Sequence, residues 1–206
     1  MERWTYVAMG DSAGVGVGAH DGRGYVDRVY ERLEAVAPRA ALLNLCRSGA
    51  TSDAVRSEHV GRAVAARPAV VTLFIGGNDL WRGVSPRRYG ENLDAIVDAL
   101  GATGARMILG TVPDLAHAPA AVLAEQFLGI TPATLESRAQ ALSDEVRRVA
   151  AARGCDLLDL HAVGLSDRPH FFSADGFHPS SEGYAHWADQ LWPLLRRALT
   201  RGGRAG

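Results

Sequence analysis

The chain has 206 residues, 47% hydrophobic and 22% charged, with 23 Gly and 9 Pro; that composition is ordinary for one globular domain and excludes collagen, disorder and a disulfide-rich miniprotein. The formal net charge of -1 lacks the basic excess of a nucleic-acid binder. All 22 basic residues are Arg, which excludes mechanisms built on a lysine, such as Schiff bases, pyridoxal phosphate anchoring and P-loop nucleotide binding.

Short apolar runs alternate with longer amphipathic ones along the chain. Trp4 to Met9 reads as a strand, residues 10–24 as a loop, and Tyr25 to Val36 as a helix through the spacing of Val26, Val29, Leu33 and Val36. Ala41 to Leu45 is a second strand and Thr51 to Ala66 a weakly patterned helix. Val70 to Ile75 is a near-continuous aliphatic run, as in strands buried on both faces. Ser85-Pro86 pairs an N-cap with a first-turn proline and opens a helix through Leu93, Ile96, Val97 and Leu100 that stops near Gly101 to Gly104. Met107 to Leu109 opens a fourth strand, and residues 112–130 read as a long irregular segment. Thr131-Pro132 repeats the cap-plus-proline signal for a helix through Leu135, Leu142, Val146 and Val149. Asp156 to Leu160 is a fifth strand, residues 161–177 a loop, and Pro179 starts a last helix through Trp187, Leu191 and Leu194 that ends near Ala198.

This alternation predicts a three-layer α/β/α fold with a five-stranded parallel sheet. It predicts a single domain over residues 1–199 and a flexible tail over 200–206. Cys46 and Cys155 offer neither a disulfide framework nor metal spacing, and read as free thiols in a reducing compartment. The apolar run after Trp4 is broken at Asp11, too soon for a signal peptide, and no run approaches the roughly 20 apolar residues of a membrane span. The expectation is a cytoplasmic protein with no stable membrane insertion.

Open parallel sheets bind ligands beyond the carboxyl ends of their strands, so the loops there carry the candidate chemistry. Gly10-Asp11-Ser12 follows the first strand, Asn44 to Gly49 the second, Gly76-Gly77-Asn78-Asp79 the third, and Asp175-Gly176-Phe177-His178 comes after the fifth. Taken singly, each has a structural explanation: Ser12 as a turn or cap residue, Gly49 as a source of positive φ, Asn78 as a turn residue, His178 as a cap before Pro179. A second reading takes Gly14-Val15-Gly16-Val17-Gly18 as the phosphate loop of a nucleotide-binding, flavodoxin-like module. The G-x-G-x-x-G spacing is missing, however, and Asn44 stands at the end of the second strand in place of an acidic ribose partner.

Together the four blocks, in order and spread from residue 10 to residue 178, resemble those of the SGNH, or GDSL-type, esterase family. Ala13 stands where the motif's name has Leu. The resemblance implies a flavodoxin-like SGNH hydrolase fold and a triad with Ser12 as nucleophile, His178 as base and Asp175 orienting the imidazole. It also implies an oxyanion hole formed by the N–H groups of Ser12 and Gly49 and the side-chain amide of Asn78. It implies a small ester or thioester as substrate and no cofactor. The acyl group would pass to water or, in an acyltransferase of the same fold, to another acceptor. Seven His without a ligand cluster predict no metal.

Around this core, Asp11 is expected to hold its turn, Asp79 to brace the Asn78 loop and Asp159 to be structural. His117, His161 and His170 read as surface or pocket-lining residues, and Cys46 as packing behind the second block. Trp81, Phe171 and Phe172 are the candidate substrate-binding aromatics, and residues 114–129 a candidate mobile cover.

Overall fold

In the computed structural model, which describes residues 4–165 and 168–202, five strands form one parallel sheet. They are β1 (Thr5–Gly10), β2 (Ala41–Asn44), β3 (Val70–Phe74), β4 (Arg106–Gly110) and β5 (Asp156–Leu158), in the order β2-β1-β3-β4-β5. Strand side chains alternate between faces, and here each face has its own core. Val7, Met9, Val71, Leu73, Met107 and Leu109 pack on one side. The helices there are α6 (Pro86–Gly101), through Leu93, Ile96 and Leu100, and α8 (Pro132–Arg153), through Leu142, Val146 and Val149. Tyr6, Ala8, Val70, Phe74, Ile108 and Leu158 face the other way. They meet Val26, Val29 and Leu33 of α2 (Tyr25–Val36) and Tyr184, Trp187, Leu191 and Leu195 of α9 (Ser181–Gly202). Thr72, buried on that second face, is satisfied by the Tyr6 hydroxyl at 2.9 Å. This is the three-layer α/β/α arrangement.

The cap-plus-proline signals mark true helix starts. Ser85 Oγ accepts from the Arg88 N–H, and Thr131 Oγ1 from the Thr134 N–H. Elsewhere the structure corrects the sequence reading. The 10–24 loop contains a one-turn helix, α1 (Ser12–Val15). The 51–66 helix is α3 (Ser52–Ala54), a π-helical turn over Val55–His59, and α4 (Val60–Ala65); the inserted residue explains its weak 3.6-residue pattern. A short α5 (Gly77–Trp81) follows β3. The 112–130 segment is not irregular throughout, since it holds α7 (Ala120–Leu128), stopped by Gly129 in the left-handed region. Its Ala, Leu and Glu favour helix, but its large apolar residues do not make a core-facing stripe, so the period is hidden. Pro179 does not open the last helix. It is bridged to Phe172, the Ser180 N–H donates to Phe171 O, and α9 begins at Ser181. α9 continues to Gly202; the remainder of the expected tail, residues 203–206, lies outside the described residues.

Candidate active site

Ser12 stands on the turn that leaves β1. Asp11 caps that turn, its Oδ1 accepting from the Ala13 N–H at 3.1 Å. Burial raises the Asp11 carboxyl to about 6, against the lowering effects of the Ala13 hydrogen bond and of nearby His178. Asn44 ties the end of β2 to α1, donating from Nδ2 to Gly14 O at 2.9 Å and accepting from the Cys46 N–H at 3.0 Å. Cys46 packs against Gly14, and burial pushes its thiol up.

At the other end of the chain, residues 173–178 close a turn in which the Ser173 N–H donates to His178 O at 2.8 Å. Asp175 Oδ1 accepts from the Ser173 hydroxyl (2.8 Å), the Phe177 N–H (2.8 Å) and the His178 N–H (2.9 Å). Its Oδ2 lies 2.6 Å from His178 Nδ1. Burial works to raise the Asp175 pKa, but these hydrogen bonds, that of His178 foremost, outweigh it and hold the carboxyl at about 2. His178 Nε2 is 2.9 Å from Ser12 Oγ. With the ring proton on Nδ1, facing Asp175, Nε2 is free to accept the serine proton.

The second and third loops meet beside Ser12. The Arg47 N–H donates to Gly10 O at 3.2 Å, which lays the 47–50 turn against the start of the Ser12 turn. Gly49 has φ +76° in open space, a conformation that would strain a residue with a Cβ. Asn78 Nδ2 donates to Ala50 O at 3.0 Å, next to Gly49, and its amide keeps a second proton. Beneath them Asp79 is fully buried and accepts from Ser52: the N–H at 3.1 and 3.0 Å, the hydroxyl at 2.6 Å. Ser52 Oγ accepts in turn from Asn92 Nδ2 at 2.9 Å, and Asn92 Oδ1 from Arg56 at 3.2 Å. Burial pushes the Asp79 carboxyl up while the Ser52 bonds pull it down. The expected brace is therefore present, and it reaches across to α3 as well as to backbone. Ser52, Asn92 and Ser173 were not among the residues singled out from sequence; only the Ser173-x-Asp175 spacing gave a local signal.

A cavity of about 50 Å³ opens at Ser12 and His178, walled by Phe74, Ile75, Leu115, Leu160, Phe177 and Trp187. A smaller one adjoins it, and Phe172 lines that one. Trp81 stands one ring behind, edge-on to Phe177 at 5.9 Å between centroids. Phe171 stacks on His186 at 5.1 Å, with the Arg168 guanidinium over its ring. Gly18, at φ +92°, comes so close to the 173–178 turn that a Cβ there would sit 2.7 Å from His178 Cβ. Packing against His178 thus accounts for this end of the Gly14–Gly18 run without a phosphate.

Asp159 accepts from Thr111 Oγ1, the Ala162 N–H and Arg147. His161 faces Glu136 at 3.4 Å, His117 faces Asp114 at 2.8 Å, and His170 packs edge-on against Phe171. Among the described residues one group has metal-ligand proximity: Asp114, His117 and Glu136, with ligand atoms within 4.8 Å of one another. The Asp114 carboxylate there is already engaged by the His117 ring and by the N–H groups of Ala116 and His117. No described helix is long and apolar enough to cross a membrane.

Residues 8–186 match the profile of the GDSL-like lipase/acylhydrolase family. Esterase TesA of Pseudomonas aeruginosa is 26% identical over 197 residues, covering 95% of this chain and 89% of that protein. The GDSL-like esterase Rv1075c of Mycobacterium tuberculosis is 31% identical over 200 residues, 93% of this chain and 62% of that longer protein. A crystal structure of TesA superposes with a TM-score of 0.74 at 25% identity, covering 94% of this chain and 99% of that one.

Proposed function

The chain belongs to the GDSL-like lipase/acylhydrolase family and is an ester hydrolase of the SGNH type, and from that premise we propose that it cleaves small carboxylic esters or thioesters through an acyl-enzyme on Ser12. The observation that carries the reading is the unbroken relay from Ser12 Oγ to His178 Nε2 at 2.9 Å and from His178 Nδ1 to Asp175 at 2.6 Å, at the mouth of an apolar cavity.

In this mechanism Ser12 Oγ attacks the ester carbonyl carbon as its proton passes to His178 Nε2. Asp175, ionised at all but strongly acid pH, fixes the ring tautomer and stabilises the imidazolium. The carbonyl oxygen becomes an oxyanion that accepts hydrogen bonds from the Ser12 and Gly49 N–H groups and from Asn78. The intermediate collapses, the alcohol or thiol leaves with the proton from His178, and the acyl group stays on Ser12. Water then repeats the sequence and releases the acid. The cavity of about 50 Å³ has room for only a few non-hydrogen atoms, since one water needs roughly 10–15 Å³ on that measure, so short acyl groups fit best. Two free cysteines suit a reducing compartment, and we assign the enzyme to the cytoplasm.

The test is hydrolysis of p-nitrophenyl esters from acetyl to long acyl by wild type and Ser12→Ala, with a fluorophosphonate label mapped by mass spectrometry. The expected result is a short-chain optimum, labelling at Ser12, and loss of roughly 10⁶-fold in turnover in the variant. Activity surviving Ser12→Ala, or a label on another residue, overturns the assignment.

A further inference from the structure

Among the described residues six large apolar side chains stand exposed, and four of them, Val122, Leu123, Phe127 and Leu128, belong to the nine-residue α7. Phe127 is 76% and Leu128 67% exposed. Leu123 and Phe127, four positions apart, are neighbours on one face, while the small Ala121 and Ala124 take the buried side. Glu125 is the helix's one charge. The helix therefore turns its large apolar residues outward.

Its position ties that face to the reaction site. The Ala120 N–H donates to Gly176 O at 3.0 Å, one residue from Asp175, and Pro119 packs against Gly176. Just upstream, Pro113 and Leu115 line the cavity beside Ser12. One stretch of chain runs from the cavity wall, past the acid–base turn, to an outward apolar surface.

We infer that α7 docks on the surface of aggregated lipid and brings the site to amphiphilic esters held there. The inference rests on the ester-hydrolase reading above and extends its substrates from dissolved esters to a micelle or bilayer face. Four side chains on nine residues expose a few hundred Å², well short of the roughly 800 Å² per partner of a stable dimer. A helix with one charge has no pattern for a charged protein partner, whereas a lipid interface takes up apolar area directly. The small cavity leaves the distal part of a long acyl chain outside, where the lipid itself can keep it.

The experiment uses two proteins, wild type and the double variant Leu123→Ser/Phe127→Ser. Dialkyl phosphatidylcholine vesicles, which contain no ester to cleave, measure binding by co-sedimentation. Hydrolysis of p-nitrophenyl acetate and of a long-chain p-nitrophenyl ester above its critical micelle concentration measures activity. Wild type should sediment with the vesicles independently of salt. The variant should lose roughly tenfold or more of that binding, keep its acetate rate, and lose a similar factor on the micellar ester. Wild type staying in the supernatant overturns the inference, as does equal sedimentation of both proteins, or a solution mass showing a wild-type dimer that the variant dissociates. Vesicle binding by a wild type that hydrolyses no ester upholds the docking and overturns the Ser12 reading.

Discussion

Asp11→Asn separates the turn-holding role of Asp11 from the cost of its charge. The carboxyl titrates at about 6 in the folded protein against 3.8 for an ordinary Asp, chiefly because it is buried. The folded state thus holds the proton more tightly than the unfolded chain. This group stabilises the fold fully below 3.8, and the contribution is lost as pH rises through about 6. A difference of about two units corresponds to about 3 kcal/mol. Asparagine keeps an Oδ1 to accept from the Ala13 N–H but carries no charge at any pH. The stability difference, variant minus wild type, should therefore grow by about 3 kcal/mol between about pH 2.5 and pH 7.5. Urea unfolding of both proteins across that range, followed by circular dichroism, gives the difference directly, and titrations common to both proteins cancel. Two parallel stability curves would refute the reasoning, because they would mean that the Asp11 charge is solvated in the folded state.

Two further outcomes follow from the loops beside Ser12. Asn78→Ala should lower kcat by roughly 100- to 1,000-fold with an unchanged circular-dichroism spectrum; steady-state kinetics on a short ester would expose the assignment as wrong if full activity remained. Ser52→Ala removes a hydroxyl donor from the buried Asp79 carboxylate and an acceptor from Asn92. It should cost about 1–3 kcal/mol of stability and reduce kcat more than it changes KM, because the loops carrying Gly49 and Asn78 lose their shared brace. Unfolding and kinetics of the one variant check both halves.

The sheet was legible because its strands carry strong, local signals: Val70 to Phe74 is apolar but for Thr72, and Ser85-Pro86 and Thr131-Pro132 announce helix starts by hydrogen-bond chemistry. What stayed hidden depends on tertiary context. α7 shows no core-facing period because its large residues point away from the core, and the turn over Val55–His59 disturbs the period by one residue. The candidate site was legible as four short blocks, since Asp175 and His178 meet within one turn. The Asp79–Ser52–Asn92 network joins three separated segments and leaves no sequence spacing to find. The cavity wall is equally non-local: Trp187 reads as an ordinary helix-core residue, and only the packing of α9 brings it beside Ser12.

The order of the sheet also divides the chemistry along the chain. β1, β2 and β3, with Ser12, Gly49 and Asn78, all precede the turn around Ala102 to Gly104; β4 and β5, with Asp175 and His178, all follow it. The two halves of the sheet meet at a single seam, β3 against β4. A chain cut in that turn leaves Ser12, the proposed nucleophile, on one piece and His178, its proposed base, on the other, so on that reading neither piece alone should cleave an ester. On that reading, colour from a chromogenic ester would report the two pieces coming back together across the β3–β4 seam.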